Sequence, residues 1–521
     1  MYAAPHKKVR AQIKYSMQNL YRSAALVTVF ATIEHGLGFL YRIILSRMLG
    51  AEGLGVYQVA LTVFAVFITI SSSGLPITLS RAISKHRARG SLQGERAATS
   101  AAILIALLFS VPLTVLLFVA RTPFSAVFSD PRCADLFYIM IFGLSFTSVY
   151  AIIRGTFWGN KRFLAYSLIE LIEEIVMIVA GVFLLLSGAK IADINKAAIA
   201  VLISYLCSFA IALVYFIVKG GRFSSPRGEF LPLLKSSLPI TAMRTSSSLM
   251  NSLISVIFPM RLMAAGFTSS RALAEYGVVY GMVMPVIMIP SSLIGSIALV
   301  LVPELSECFY KKQTEKLSAL VGKALNTTLL IAGMLIPFFI VCGQDVGILL
   351  YSNAESGKMI AVCAFILIPM SLTMICTSIL NSLGHERMTL LFFLLGSGAM
   401  LACVWFLPKY LAGGALCIGM ASDYLITAVC SLILLRKKTG ALKQGKFLLK
   451  LAVSIVVVTV SGVLLHRLLS TYLSYLPAFV LAFTFTALAE VAFLAIFRLF
   501  DFRAFFVRFL PKRRKKIASP S

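Results

Sequence analysis

ATSAAILIALLFSVPLTVLLFVA, residues 98–120, carries no charged side chain, and Arg96 and Arg121 flank it. As a helix rising 1.5 Å per residue it would be about 35 Å long, enough to cross a hydrocarbon layer about 30 Å thick. Thirteen further stretches read the same way, at roughly 24–45, 55–79, 134–153, 164–187, 195–218, 237–260, 277–302, 324–343, 359–380, 389–407, 413–435, 448–468 and 476–498. The expected fold is therefore all-α: a polytopic membrane protein of about fourteen transmembrane helices.

The composition of the whole chain agrees. Of its 521 residues, 59% are hydrophobic and 13% charged, and the mean hydropathy is +0.92. Soluble domains carry about 25% charged residues, so a soluble globular class is excluded. A disordered or fibrous chain is excluded as well, because low hydrophobicity and low complexity are both absent. No interval between the apolar stretches reaches the 50 or so residues of an independent domain. A nucleotide-driven engine within this chain is thus excluded, and no Walker-type glycine-rich loop is present. The first span follows a basic tail and lacks a clear cleavage site, so it reads as an uncleaved anchor.

Lys and Arg number 48 against 20 Asp and Glu, a formal charge of +28. In a soluble protein that excess would point to nucleic acid. Here the cations interrupt apolar runs, and nucleic acid is not an expected partner. With the N-terminus inside, 36 cations fall on the inner side, 11 on the outer side, and Arg244 lies within a span. Positive charge marks cytoplasmic loops, so both termini are expected in the cytoplasm. The clusters Arg81, Lys85, Arg87, Arg89, Arg96 and Lys512 to Lys516 face the anionic leaflet, making anionic membrane lipids an expected partner.

The chain repeats itself. Gly159-Asn160-Lys161-Arg162 after span four corresponds to Gly384-His385-Glu386-Arg387 after span ten, 225 residues on. Tyr57 and Pro76 around span two correspond to Tyr280 and Pro303 around span eight, at offsets of 223 and 227. The expected organisation is a basic tail 1–23, a first lobe 24–220, a second lobe 221–435, two added spans in 436–498, and a basic tail 499–521. Six spans per copy is an even number, so the copies are parallel, related by an axis along the membrane normal.

Intramembrane charges cost about 2.5–3.5 kcal/mol each on insertion scales and mark interiors or hydrated cavities. Span one carries Glu34, His35 and Arg42, with Arg47 at its end. Span five carries Glu170, Glu173 and Glu174, which share a helix face. Span seven carries the stripe Thr241, Arg244, Ser248, Asn251, Ser255; span two has Gln58, Thr62 and Thr69, then Ser71-Ser72-Ser73-Gly74, a loosened backbone ahead of Pro76. Interfacial snorkelling is the alternative for Arg42 and Arg47, pairing with Arg162 for Glu170, and a structural ion pair for Arg244. Asp423 suits a cation site, a partner for a cavity arginine, or a wetted loop end; Glu490 suits packing or the lipid interface. Guanidinium groups match phosphate or pyrophosphate bidentately, which sets Arg42, Arg47 and Arg244 as substrate ligands with Glu34, His35, Gln58 and Asn251 beside them. Glu173, Glu174 and Asp423 are candidates for Na+ or H+ coupling. No cofactor is expected. The nine cysteines lack metal or redox spacing, and no catalytic triad or metal cluster has a usable setting, so an enzyme is not expected.

The stretch from Gly38 to Tyr57, GFLYRIILSRMLGAEGLGVY, resembles the first helix and loop of the stage V sporulation protein B family. So do Ser73-Gly74-Leu75-Pro76, the run from Pro285 through Ser292 to Ser306, and Gly384-His385-Glu386. That family belongs to the multidrug/oligosaccharidyl-lipid/polysaccharide exporter superfamily and is similar to the murein-precursor flippases. The resemblance implies a V-shaped two-lobe bundle in the bacterial cytoplasmic membrane. It implies movement of an undecaprenyl-pyrophosphate-linked saccharide, lipid II or a relative, with cell-wall synthesis machinery as a partner. It also implies pyrophosphate-holding arginines on the first and eighth helices and a lipid-tail groove on the last two. Arg42 matches the first-helix position. The stretch around Met284-Pro285 has no arginine, and Arg244 on span seven stands in. Teichoic or capsular saccharide flippases and cation-coupled drug exporters remain the alternatives.

The charge asymmetry makes a direct prediction: a fluorescent reporter fused to the C-terminal tail is bright, and a phosphatase reporter that needs export is inactive there. An active phosphatase fusion at that point would reverse the orientation.

Overall fold

The computed structural model describes residues 4–188, 190–440 and 445–497. The C-terminal basic tail, 499–521, lies outside the described residues. Among the described residues every element is helical. In order they are α1 (Ala4–Ser72), α2 (Leu75–Ala88), α3 (Leu92–Val119), α4 (Arg121–Ser125), α5 (Pro131–Ile141), α6 (Leu144–Gly159), α7 (Phe163–Leu186), α8 (Asp193–Val218), α9 (Phe230–Ala264) and α10 (Ser269–Tyr276). A π-helical turn, Gly277–Val283, leads into α11 (Met284–Ile287) and α12 (Ile289–Tyr310). Then follow α13 (Thr314–Tyr351), α14 (Ala354–Cys363), α15 (Leu367–Ser382), α16 (Glu386–Phe406), α17 (Pro408–Leu411), α18 (Gly414–Thr439), α19 (Gly445–Tyr472) and α20 (Tyr475–Ile496).

Ten helices among the described residues are long and apolar enough to cross a membrane, or twelve if each of two bent pairs forms one span. A count of fourteen follows only if the arms of α1 on either side of Gly50 are taken separately and α7 is admitted despite its three glutamates. Gly50 has φ of 70° inside α1, a left-handed conformation that favours glycine. The expected loosening after span two is present: α1 stops at Ser72, and α2 restarts at Leu75 with Pro76 in its first turn, where a missing N–H costs nothing.

Contacts divide the chain into two units. The first takes Met1–Val286, Leu350–Ser352 and Leu390–Asp423; the second takes Ile287–Leu349, Asn353–Thr389 and Tyr424–Ser521. Span seven of the sequence repeat thus falls in the first unit, as α9. Its inner packing uses small residues. On α3, Ala97, Ala98, Ala101, Ala102, Ala106 and Ser110 are buried, whereas Leu108, Val115, Leu116 and Val119 point outward, Val119 at 81% exposure. Lipid tails are as apolar as leucine, so large side chains gain nothing by hiding from them, and close van der Waals packing of small ones holds the helices. In the second unit, Ile294 and Leu305 of α12, Val321 and Leu325 of α13, Ile375 and Ile379 of α15 and Leu435 of α18 share one core.

Two reciprocal contacts tie α1 to the α10 region. A Cβ on Gly55 would fall 1.9 Å from the Leu273 carbonyl oxygen, and one on Gly277 would fall 2.0 Å from that of Ala51. Residues 51 and 273, like 55 and 277, are 222 apart, so the two contacts cross: 51 meets 277 and 55 meets 273. Each is an approach of backbone to backbone that only glycine permits.

Beside this contact lies a polar cluster. Arg132 Nη2 is 2.6 Å from Glu52 Oε1 and donates to Asp130 Oδ2 at 3.0 Å. The Ser269 hydroxyl donates to the same Asp130 oxygen at 2.7 Å. Asp130 also caps α5, accepting from the Arg132 backbone N–H at 2.9 Å. Burial pushes the Asp130 carboxyl up, but the Arg132 side chain, the Ser269 hydroxyl and the Arg132 amide together hold it below the usual aspartate range. A depressed carboxyl stabilises the folded state at neutral pH, and that stabilisation is lost as pH falls through the folded value. Asp130→Asn is expected to lower stability by about 1–2 kcal/mol at pH 7. The gap in melting temperature from the parent should close as pH drops below about 4; a gap that persists or widens in acid would contradict the cluster's role.

Candidate functional site

The first unit encloses a cavity of about 280 Å³ walled by α1, α6, α7, α8 and α9. Four carboxylates line it, Glu34, Glu170, Glu173 and Glu174, with two guanidiniums, Arg154 and Arg244. With all groups ionised the lining carries two net negative charges. The i, i+3, i+4 spacing on α7 presents its three glutamates to one region but gives each a different neighbour. Arg154 Nη1 donates to Glu170 Oε1 at 2.8 Å, and the Arg154 guanidinium stands over the Trp158 ring, 5.2 Å from its centroid. Glu174 faces the α1 backbone at Gly38, where a Cβ would come within 3.0 Å of its Oε1. Glu173 projects among Tyr150, Tyr205 and Ser208, and its Oε2 is buried without a hydrogen-bond partner.

The broken backbone between α1 and α2 forms part of the same wall. Thr69, Ser72 and Ser73 line the cavity. The Gly74 N–H, released from helical bonding, donates to Thr241 Oγ1 on α9 at 3.2 Å. Ser71 and Ser148 hydroxyls meet at 2.8 Å in the interior. The polar stripe of α9 therefore begins by satisfying a helix break and continues one turn later with Arg244 in the cavity.

Of the residues singled out in the sequence, Glu34, Glu173, Glu174 and Arg244 come together here. Arg42 is half-buried on α1 and close enough to Glu174 to act on it electrostatically. Arg47 is exposed and its Nε donates to the Leu350 carbonyl at 2.8 Å. His35 and Asn251 are exposed, and Gln58 is half-buried; none of the three lines this cavity. Asp423 is half-buried, has a polar or electrostatic partner, and lies elsewhere in the first unit. Glu170 pairs with Arg154, not with Arg162. Arg154 was missed because span four was ended at residue 153, whereas α6 runs on to Gly159. The available signal was Gly159-Asn160, the first strong stop after it.

The second unit holds two further polar couples on α19 and α20. His466 Nε2 lies 2.9 Å from Asp345 Oδ2 on α13, and the Tyr475 hydroxyl donates to the Asp345 carbonyl at 2.9 Å. Ser454 donates to Glu490 at 3.3 Å, and Glu490 is 2% exposed. Glu490 thus takes a packing position rather than a lipid-facing one. Among the described residues no group of three or more His, Cys, Asp or Glu converges to hold a metal ion.

Residues 20–309 match the polysaccharide biosynthesis protein family, more than half of the chain. The chain belongs to that family. The matched region contains every residue of the acidic cavity. Among curated proteins, the chain is 23% identical to stage V sporulation protein B of Bacillus subtilis over 67% of its own length and 70% of the relative's. It is 21% identical to the lipid II flippase MurJ of the same organism over 64% of each. Among solved structures, an inward closed lipid II flippase MurJ superposes with a TM-score of 0.74 at 15% identity, covering 92% of this chain and all of that one. An inward-facing multidrug resistance MATE family transporter of the MOP superfamily gives 0.66 at 17% identity, covering 80% and 99%. This family member therefore has the MOP-superfamily transporter fold and is an integral membrane protein.

Arg154 and Glu170 are expected to behave as a unit. Removing one partner of a buried pair leaves an uncompensated charge, at a cost of about 3–5 kcal/mol when fully buried. With both side chains partly open to the cavity, about 2 kcal/mol is expected for Arg154→Ala. The double variant Arg154→Met with Glu170→Met should recover much of the loss in a thermal-shift cycle. Additive losses would show that the two do not interact.

Proposed function

We propose that the chain is a flippase that moves an undecaprenyl-pyrophosphate-linked saccharide across the bacterial cytoplasmic membrane by alternating access. The carrying observation is the superposition on a lipid II flippase over 92% of this chain and the whole of that one, and membership of a polysaccharide biosynthesis family supports it. A lipid II-like peptidoglycan precursor is the proposed cargo. The relative named for stage V sporulation supports a role in the spore cortex, with cell-wall synthesis machinery consuming the product.

In this reading both termini face the cytoplasm and the head group enters an inward-open vestibule. Arg42, Arg47 and Arg244 hold the pyrophosphate, and Glu34, His35, Gln58 and Asn251 contact the polar remainder. Neutralising the arginines is what lets the lobes close. The polyprenyl tail stays in lipid along α19 and α20. No nucleotide site is required, so the drive is Na+ or H+ coupling, the membrane potential, or removal of product. Glu173, with a buried unpartnered oxygen, and Glu174 suit cation or proton coupling best, and Asp423 is a further candidate.

A second reading, a cation-coupled multidrug exporter, is favoured by one observation. The cavity holds more acid than base, and organic cations suit such a lining. A flippase for teichoic or capsular saccharide lipids would differ from the first reading only in the sugar.

Translocation of labelled lipid II in reconstituted vesicles tests the assignment. Arg42→Ala and Arg244→Ala are each expected to lower the rate by roughly tenfold or more, the loss of a charge-assisted contact. Unchanged rates in both would refute the cavity assignment. Extrusion of cationic dyes with unaltered lipid-linked sugar pools would favour the exporter instead.

A further inference from the structure

A second cavity in the first unit, about 490 Å³, shares no lining residue with the acidic one. It opens at the ends of α2, α3, α6, α7 and α8, on the side that the charge count assigns to the cytoplasm. Five cations from four chain segments converge on it: Arg87 at the end of α2, Arg96 in the first turns of α3, Arg162 between α6 and α7, and Lys219 and Arg222 after α8. Glu95 is the one carboxylate in the lining, so the net formal charge is +4.

Orienting a membrane protein requires cations on this side. It does not require them to surround one concavity, where like charges repel. The local structure nevertheless holds them there. Arg87 Nη1 donates to the backbone oxygen and to Oδ1 of Asn160, at 3.2 and 3.3 Å. Lys161 adopts φ of 57° and Gly220 φ of 81°, which tighten the two turns that present Arg162 and Arg222. The segment after α8 is stitched to α3 by the Ser224 N–H, which donates to Ser100 Oγ at 3.0 Å, and folds back on α8 itself through Phe223 packing on Phe216 at 5.7 Å. Arg96, Arg162 and Arg222 have no carboxylate partner among the described residues. The floor is apolar, formed by the buried Ile83, Phe157 and Phe216.

We propose that this cavity is a phosphate-ester site, separate from the translocation cavity. Guanidinium forks above an apolar floor match a phosphate with a hydrocarbon root, the form in which an anionic glycerophospholipid presents itself at the leaflet surface. A soluble phosphate or pyrophosphate has the same charged group without the root. An occupant would bridge α2, α3, the α6–α7 turn and the segment after α8, so the first unit is most rigid when the site is filled.

Native mass spectrometry of the full chain, released from micelles containing phosphatidylglycerol or phosphatidylcholine, tests the site, with inorganic phosphate and pyrophosphate added in separate arms. Phosphatidylglycerol should be retained and phosphatidylcholine lost. Each cation near a membrane surface contributes roughly fivefold in affinity, so Arg96→Gln with Arg222→Gln should weaken retention roughly 25-fold. Glu95→Gln should strengthen it, a gain that no folding defect mimics. Lys235→Gln, on an exposed α9 position outside the lining, should leave it unchanged. Displacement by millimolar phosphate or pyrophosphate assigns the site to soluble phosphates, and resistance to both assigns it to the lipid. Equal retention of the two lipids with no phosphate binding would overturn the proposal. So would a Lys235→Gln loss as large as that of the double variant, or a Glu95→Gln variant that behaves as the parent.

Discussion

A charge surrounded by hydrocarbon must be paired, hydrated or neutralised, and the first unit is arranged around six that are. Arg154 and Glu170 form the pair at the base of the acidic cavity. Glu34, Glu173, Glu174 and Arg244 open into the same space. Had those side chains faced acyl chains, α7 could not have been inserted with three glutamates on one face. The cavity is therefore a condition for the helix being where it is.

The packing around the cavity follows from the same solvent. Burying large apolar groups brings little gain against lipid, and several of the closest approaches fall at glycine. Gly38 admits the Glu174 carboxylate, and Gly155 lies against the backbone of Pro76. Gly55 and Gly277 let α1 and the end of α10 touch through their main chains. Backbone groups released at the Ser73-Gly74 break are met by Thr241 rather than by lipid, as a low-dielectric surrounding demands.

The electrostatic map of the first unit is divided. One cavity is acid-dominated and lies among the spans; the other is strongly basic and lies at the helix ends. A carrier of an anionic head group needs cations to receive it and, if ion-driven, carboxylates to take up Na+ or H+. The chain carries both kinds of group, and the Arg42 guanidinium acts electrostatically on Glu174.

The membrane class and the helical content were legible in the sequence, because apolar run length is a local quantity. So was the face of α7, since i, i+3, i+4 spacing fixes direction on a helix. The partner of each charge was not. Arg154 and Arg162 both stand within reach of Glu170 along the chain, and only the packing of α6 on α7 selected Arg154. Likewise the contact of Gly55 with Gly277, the meeting of His466 with Asp345, and the gathering of five inner cations about one hollow depend on distances between helices. Periodicity encodes which way a side chain points from its own axis; what it meets there is set by the neighbouring axis.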